Sequence, residues 1–137
     1  MPDTLHLEIV TPHARIYSDD VEMVVLPGAE GELGVYPMHI PLITEIKPGE
    51  LDIVKDGEKS LFAVGEGFVE ITPTHVTVFT DMAITEEDID EQTVESAIQR
   101  AEEALREAEK MTPEEVAATQ ASLQKSFVQL RLKRKGP

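Results

Sequence analysis

The sequence predicts an antiparallel β-sandwich of about eight to ten short strands, followed by a hairpin of two antiparallel α-helices. Two observations carry this prediction. Residues 1–85 contain short apolar or alternating runs, with a turn signal every few residues and no helical stretch between them. From residue 86 onward, apolar residues recur at intervals of three and four, the period of an α-helix. We therefore expect a sandwich domain over residues 1–85 and a helical domain over residues 86–137.

The first strand, residues 4–10, alternates apolar and polar side chains, as a half-buried strand does. A short extended segment at 15–17 precedes Ser18-Asp19-Asp20, whose composition predicts a turn. Asp56-Gly57 lies between two apolar runs and predicts a tight β-hairpin. The remaining predicted strands are 21–26, 41–46, 51–54, 60–64, 67–71 and 75–80.

Residues 26–49, LPGAEGELGVYPMHIPLITEIKPG, are the stretch around which the sandwich is organised. They hold four of the eight glycines and four of the nine prolines, so they cannot form a helix. We expect tight turns joined by very short strands. The most distinctive side chains that this rigid segment presents are Glu30, Glu32, Tyr36, Met38 and His39.

The helical region divides into two helices. Apolar residues at helical spacing predict a first helix that runs to Met111, with Lys110 placed favourably near its carboxyl end. Thr112, Pro113 and Glu115 then predict a new start, because they match a capping box with proline at the first helical position. The apolar stripe of both helices is rich in alanine, so the hairpin is weakly held by its own sequence. Two alternatives follow: a hairpin that exchanges its folded form for an extended one, and a plain structural hairpin packed on the sandwich.

The charge of the chain excludes several classes of function. With 27 acidic and 12 basic residues, the net charge is −15, which argues against non-specific binding to nucleic acid or to anionic lipid. The final segment differs from the rest, since residues 116–137 contain five bases and no acid. No apolar run is long enough to insert into a bilayer, and the first ten residues do not resemble a signal peptide.

No arrangement of residues points to an enzyme. The glycines Gly28, Gly31 and Gly34 do not match a dinucleotide-binding fingerprint, and neither a phosphate-binding loop nor a nucleophile elbow occurs. The four histidines lack the spacing of metal ligands, and there is no cysteine. Carboxylate pairs such as Glu30 and Glu32 carry little catalytic weight in so acidic a chain. We therefore expect no catalytic residue, no cofactor and no metal.

The sequences LPGAEGELGVYPMHIPLITEIKPGEL (26–51) and GEGFVEITPTHVTVFTDMA (65–83), together with the charged helical carboxyl end, carry a resemblance over nearly the whole chain. The chain resembles the epsilon-subunit family of bacterial F-type ATP synthases. That resemblance implies a non-catalytic part of the rotating central stalk, peripheral to the cytoplasmic face of the bacterial inner membrane. Its expected partners are the gamma subunit, the polar loops of the c-ring and the catalytic alpha/beta hexamer.

The resemblance also implies two sets of contact residues. The sandwich is expected to bind gamma, and a loop of the sandwich is expected to contact the c-ring through Glu30, Glu32, Leu33, Gly34, Tyr36, Pro37 and His39. The helices of the family can swing along gamma and hinder ATP hydrolysis. The basic residues that would then face acids of the catalytic subunits are Lys125, Arg131, Lys133, Arg134 and Lys135, called the tail cations below.

One segment departs from the family. Some members bind ATP through Ile or Leu, Asp, two variable residues and Arg-Ala, whereas this chain has Ile89 and Asp90 followed by Thr93 and Val94 in the last two positions. The phosphate-pairing cation is lost, so ATP binding is expected to be weak or absent. Two alternatives to the subunit stay open at this stage. They are a free-standing sandwich that binds a ligand or peptide and dimerises through its helices, and a small hydrolase that uses Asp, Glu and His.

Overall fold

The computed structural model describes residues 3–135; the terminal residues of the two predicted domains, 1–2 and 136–137, lie outside the described residues. The predicted β-sandwich and helical hairpin are both present. The strands are β1 (Leu5–Val10), β2 (Arg15–Val21), β3 (Met23–Gly28), β4 (Gly31–Val35), β5 (Leu42–Ile46), β6 (Gly49–Lys55), β7 (Glu58–Val64), β8 (Gly67–Ile71), β9 (His75–Thr80) and β10 (Ala83–Thr85). The helices are α1 (Glu91–Leu105) and α2 (Pro113–Lys135).

The ten strands form two layers whose backbones pair where the ends of β3 and β5 meet. The first layer has the order β10-β7-β6-β3-β4, and the second has the order β5-β8-β9-β1-β2. Gly28 at the end of β3 pairs with Ile46 at the end of β5, and this contact joins the layers into a nearly closed sheet. Strand closure of this kind leaves few exposed edges.

A single apolar core fills the space between the layers. Both layers contribute alternate residues of their strands, as the period of two requires. Leu7 and Ile9 come from the second layer, whereas Leu26 and Leu51 come from the first, and all four side chains are fully buried. Tyr17 packs edge-on against Phe62 across the two layers, with ring centroids 5.7 Å apart. The core is therefore complete without the helices.

Two details of the predicted strands were wrong. Ser18-Asp19-Asp20 is not a turn but the middle of β2, where it pairs with Glu8, Leu7 and His6 of β1. These polar residues occupy an edge strand, and pairing with β1 outweighs their turn propensity. In addition, β1 and β9 are parallel, although the sequence predicted an antiparallel sandwich. Two parallel strands must be joined by a long connection, and the chain from β2 to β8 forms that connection between β1 and β9.

The Asp56-Gly57 hairpin was predicted correctly. Both residues have positive φ, 53° and 76°, the geometry of the two-residue turn that matches strand twist. Lys55, just before the turn, forms an ion pair with Asp19 of β2 and so ties the first layer to the edge of the second. The pKa of Asp19 lies below its usual value, first because of the hydrogen bond from Lys55 and second because the N–H of Asp20 donates to the same carboxylate.

This ion pair makes the stability of the sandwich depend on pH in a defined direction. Because the pKa of Asp19 is lower in the folded state, its contribution is fully present above the unfolded value of about 3.9 and is lost as the pH falls through the folded value. We expect the original chain to be more stable than Asp19→Asn at pH 7 and the difference to vanish in acid. Urea unfolding of both proteins between pH 7 and pH 2 checks this, and a difference that grows in acid would contradict it.

The first helix ends earlier than predicted. It stops at Leu105, and a separate 3₁₀ turn at Ala108–Lys110 leads to the second helix. Lys110 therefore pairs with Glu107, 3.5 Å away, and does not lie in the last turn of α1. The antiparallel reversal needs several non-helical residues before Thr112, which local apolar spacing does not reveal.

The predicted capping box at the start of α2 is confirmed. The N–H of Thr112 donates to the Glu115 carboxylate at 2.9 Å, and the N–H of Glu115 donates to the Thr112 hydroxyl at 3.1 Å. The pKa of Glu115 lies below its usual value, mainly because the Thr112 N–H donates to its carboxylate and secondly because of the Thr112 side chain. The box fixes where the chain turns back along α1.

The hairpin is docked on the outer face of the first layer. Helix α2 lies against β7 and β6, and α1 packs on α2. Val128 and Leu132 of α2 are buried there against Leu61 and Ala63 of β7, together with Ile89, Val94 and Ile98. Phe127 of α2 stays outside this cluster and is 44% exposed. Over residues 3–135, neither helix has the length and apolar character needed to cross a bilayer.

Candidate functional site

The turn between β3 and β4 presents two carboxylates at the edge of the first layer. Its geometry depends on two glycines: Gly31 has φ of +130°, and a Cβ on Gly28 would lie 2.7 Å from the carbonyl oxygen of Gly31. Glu30 and Glu32 are exposed at this turn, and Glu32 pairs with Pro27 of β3. We call Glu30 and Glu32 with this turn the acidic tip. Backbone constraints hold the tip rigid.

The remaining predicted loop residues do not all lie at the acidic tip. Leu33 and Gly34 continue along β4, but Tyr36, Pro37 and His39 follow its far end, about 16 Å away at the rise of a strand. The structure therefore divides the predicted contact loop into two ends of one sheet edge. Leu42 of β5 returns beside Glu32 and lines the same shallow depression.

The far end of β4 is an exposed apolar segment with unusual backbone geometry. Met38 has φ of 70° and donates its N–H to the carbonyl of Pro73 at 2.8 Å. His39 hydrogen-bonds through Nδ1 to the carbonyl of Ile40 at 2.6 Å, so its ring orders the loop locally. Tyr36 and Ile40 are 62% and 77% exposed. The sequence predicted the display of Tyr36 and Met38 from the two flanking prolines, but it did not indicate that Ile40 is exposed beside them.

Four of the five tail cations are engaged within the chain. Lys125 pairs with Asp81 at 2.9 Å, and Lys135 pairs with Glu50 at 2.9 Å. The Arg134 guanidinium contacts two carboxylates of α1, as described below, and Lys133 donates to the backbone carbonyl of Glu86 at 3.2 Å. Arg131 is exposed and forms no ion pair within residues 3–135.

Two of these contacts raise the pKa of the cation involved. Arg134 donates to Glu95 at 2.6 Å and to Glu91 at 3.1 Å, and these hydrogen bonds raise its pKa in that order of importance. The pKa of Lys135 is raised mainly by Glu50, with a smaller contribution from the charge of Glu32. The carboxylates whose charges raise the pKa of Lys135 are Glu50, then Asp52, then Glu32.

The residues of the degenerate nucleotide-binding motif serve the packing and capping of α1. Ile89 and Val94 are buried in the cluster between the helices and the sheet. Asp90 caps α1, because its carboxylate accepts from the N–H groups of Gln92 and Thr93 at 3.1 and 3.4 Å. Thr93 itself is exposed. The motif therefore holds no cation to pair with a phosphate, and the Asp90 carboxylate is engaged in the cap of α1.

One cluster outside these regions resembles catalytic groups in its connectivity. His6 contacts Asp20 at 2.9 Å through Nδ1 and Ser18 at 3.1 Å through Nε2, on the open face of β1 and β2. Glu8 lies 3.5 Å from the same Nε2, so the ring faces a carboxylate on each side. The His6 ring is therefore held between side chains of β1 and β2. Among residues 3–135, no three side chains are placed to hold a metal ion.

Comparisons with known proteins match both parts of the chain. Residues 4–86 match the family described as ATP synthase, Delta/Epsilon chain, beta-sandwich domain, and residues 87–133 match its long alpha-helix domain. The chain is 44% identical over 128 residues to the ATP synthase epsilon chain of Chloroflexus aggregans, covering 93% of this chain and 91% of that protein. It is also 44% identical over 130 residues to that of Laribacter hongkongensis, with the same coverage.

Solved structures show the same fold at low sequence identity. A chain of the Euglena gracilis mitochondrial ATP synthase, in a structure of its OSCP/F1/c-ring, is similar with a TM-score of 0.72 and 22% identity, covering 93% of this chain and 80% of that one. A chain of the central stalk and c-ring of the Tetrahymena thermophila enzyme has a TM-score of 0.54 at 12% identity, covering 96% and 94%. At such identities, the similarity supports the fold alone.

Proposed function

The chain belongs to the ATP synthase delta/epsilon family, and from that premise we propose that it is the non-catalytic central-stalk subunit that couples gamma to the c-ring of a rotary proton-translocating ATP synthase. The observation that carries the proposal is the match to epsilon chains over 93% of the length. The rigid acidic tip supplies a contact region for the c-ring, and the docked basic helix supplies one for the alpha/beta hexamer. Its place is the cytoplasmic face of the bacterial inner membrane, as a peripheral subunit.

We assign the coupling role to the sandwich domain, residues 1–85. Glu30 and Glu32 stand on a turn that glycine geometry holds rigid, and a rigid tooth transmits torque without bending. An exposed ion pair contributes only about 0–1 kcal/mol, so the shape of the whole sheet edge must add to it. Tyr36, Pro37 and His39 extend this edge beyond the far end of β4, beside the exposed apolar side chains. Gamma binds other faces of the sandwich.

A cysteine scan tests the contact of the acidic tip. The chain contains no cysteine, so Glu32→Cys introduces a single thiol. In an assembled synthase whose c subunits carry one cysteine in the polar loop, oxidation is expected to cross-link this position to the c-ring. Glu58→Cys is the matched control, because Glu58 is an exposed acid at the opposite end of the first layer. Equal cross-linking at both positions would contradict the assignment.

We assign the regulatory role to the helical domain, residues 86–137. In this role the helices leave the sandwich, and the tail cations face acidic residues of the alpha/beta hexamer, which hinders ATP hydrolysis. The acid-free end of α2 supports this assignment. The alternative of a dimerisation tail loses support, because α2 already uses Val128 and Leu132 against the sandwich.

ATP is not expected to control the helices directly. Thr93 replaces the phosphate-pairing arginine, Val94 is buried, and the Asp90 carboxylate caps α1. We therefore expect no binding of ATP to the full chain at millimolar concentration in equilibrium dialysis. Thr93→Arg restores the cation at an exposed position and is expected to raise the affinity measurably above that of Thr93→Lys. Millimolar or tighter binding by the original chain would contradict this prediction.

A further inference from the structure

We propose that the docked hairpin is held by an electrostatic latch, in which Asp81, Glu50, Glu91 and Glu95 occupy the same cations that the helix needs for any acidic partner surface. The latch deepens the proposed function. Only its expected effect on the inhibition of ATP hydrolysis rests on that function. Its three ion-paired cations are Lys125, Arg134 and Lys135.

The latch joins α2 to three different elements. Lys125 reaches Asp81 in the β9–β10 connection, Arg134 reaches Glu91 and Glu95 of α1, and Lys135 reaches Glu50 of β6. The contacts lie at both ends of the buried pair Val128 and Leu132. Because the contacts bracket this small apolar patch, the patch cannot be exposed by a hinge at one end alone.

The Asp81–Lys125 ion pair lies over the backbone of Gly65, which has no side chain to obstruct it. Gly65 lies beneath it: a Cβ at this position would be 2.0 Å from the Asp81 carboxylate and 3.1 Å from the Lys125 side chain. The N–H of Gly65 donates to the carbonyl of Met82 at 2.9 Å, which fixes the connection that carries Asp81. A side chain at position 65 therefore displaces the pair without removing either charge.

The ion pairs add to an apolar contact that also holds the hairpin on the sandwich. Val128 and Leu132 are the buried residues among those described in α2, and they pack with Leu61 and Ala63 of β7 and with Ile89, Val94 and Ile98, so undocking loses apolar burial as well as the ion pairs. Each exposed ion pair changes the docked-to-undocked ratio up to about fivefold, so three pairs together change it up to about a hundredfold. High salt screens such pairs, so salt favours undocking.

The opening of the latch is measurable in the full chain through one buried thiol. Ala63 is fully buried between β7 and the helices, so in Ala63→Cys the thiol reacts with a maleimide only when the hairpin opens. Val78→Cys, buried inside the sandwich, reports global unfolding in the same way. The labelling rate at position 63 divided by that at position 78 isolates hairpin opening from loss of the fold.

The decisive variant removes acids and keeps every cation. Asp81→Asn, Glu91→Gln and Glu95→Gln together are expected to speed labelling at position 63 about tenfold and to leave position 78 within twofold. The matched control, Glu102→Gln with Glu109→Gln and Glu114→Gln, removes three exposed acids that do not contact the tail cations and is expected to change neither rate. Gly65→Ala displaces only the Asp81–Lys125 pair and is expected to speed labelling at position 63 up to about fivefold. Unchanged labelling in both latch variants would overturn the proposal.

Inhibition of ATP hydrolysis then separates the latch from the proposed function. Freed cations are available to the catalytic subunits, so the acid variant is expected to inhibit more strongly than the original chain. Lys125→Gln with Arg134→Gln and Lys135→Gln also removes the contact to Glu50, so it is expected to open the hairpin at least as much and yet to inhibit less. If both variants open the hairpin and neither alters inhibition, the latch stands and the regulatory part of the proposed function fails.

Discussion

Gly67→Ala is expected to destabilise the sandwich by about 3 kcal/mol, at the upper end of what overpacking costs. A Cβ on Gly67 would lie 1.8 Å from the carbonyl oxygen of Phe79 and 2.9 Å from the Cα of Thr80. Both neighbours are backbone atoms of β9, so no side-chain rotation relieves the clash. The strands must separate where Gly67 pairs with Thr80 and with Ile46, and this is the place where β5 and β9 are held together by β8.

Gly34→Ala is the matched control, because Gly34 is also a strand glycine. No atom lies within 4 Å of a Cβ placed there, so its free energy of unfolding is expected to change by less than about 0.5 kcal/mol. Urea unfolding of the two variants and the original chain measures both values. Equal stability of Gly67→Ala and Gly34→Ala would show that β8 and β9 do not pack as described.

Truncation after residue 86 is expected to abolish inhibition of ATP hydrolysis while the sandwich stays bound to gamma. The core between the layers consists of residues from strands alone, so residues 1–86 retain a complete interior. They lose all five tail cations and the helices that carry them. With an epsilon-depleted catalytic core that contains gamma, the full chain is expected to slow hydrolysis several-fold and the truncated chain not at all.

A full-length control distinguishes inhibition by the charges of the tail cations from inhibition by steric obstruction by the helices. Replacing all five tail cations by glutamine keeps the helices but removes the groups proposed to meet the catalytic subunits. This variant is expected to bind gamma and to inhibit as little as the truncation. If it inhibits like the original chain, the helices act by steric obstruction; if the truncation inhibits as well, the helical domain has no regulatory role.

Local sequence signals predicted the elements whose structure is decided locally. Asp56-Gly57 specifies its hairpin because both residues tolerate positive φ, and Thr112 with Glu115 specifies the start of α2. Ser18-Asp19-Asp20 was misassigned because its conformation is decided by pairing with β1, which a local pattern does not contain. The same limit applies to the parallel pairing of β1 with β9.

The candidate sites divide in the same way. Glycine and proline spacing predicted a rigid segment that presents Glu30 and Glu32, but only the structure shows that Tyr36 and His39 lie beyond the other end of β4. The basic character of the tail was visible in the sequence. Its partners were not, since Asp81 is separated from Lys125 by 44 residues and Glu50 from Lys135 by 85.

The most direct test of the central-stalk assignment is ATP-driven proton pumping by an epsilon-depleted synthase reconstituted in lipid vesicles. Adding the full chain is expected to restore pumping, and residues 1–86 are expected to restore it as well, because the coupling contacts are assigned to the sandwich. Glu32→Lys is expected to restore less at the same occupancy of gamma. Vesicles that bind the chain and hydrolyse ATP without any gain in pumping would contradict the assignment.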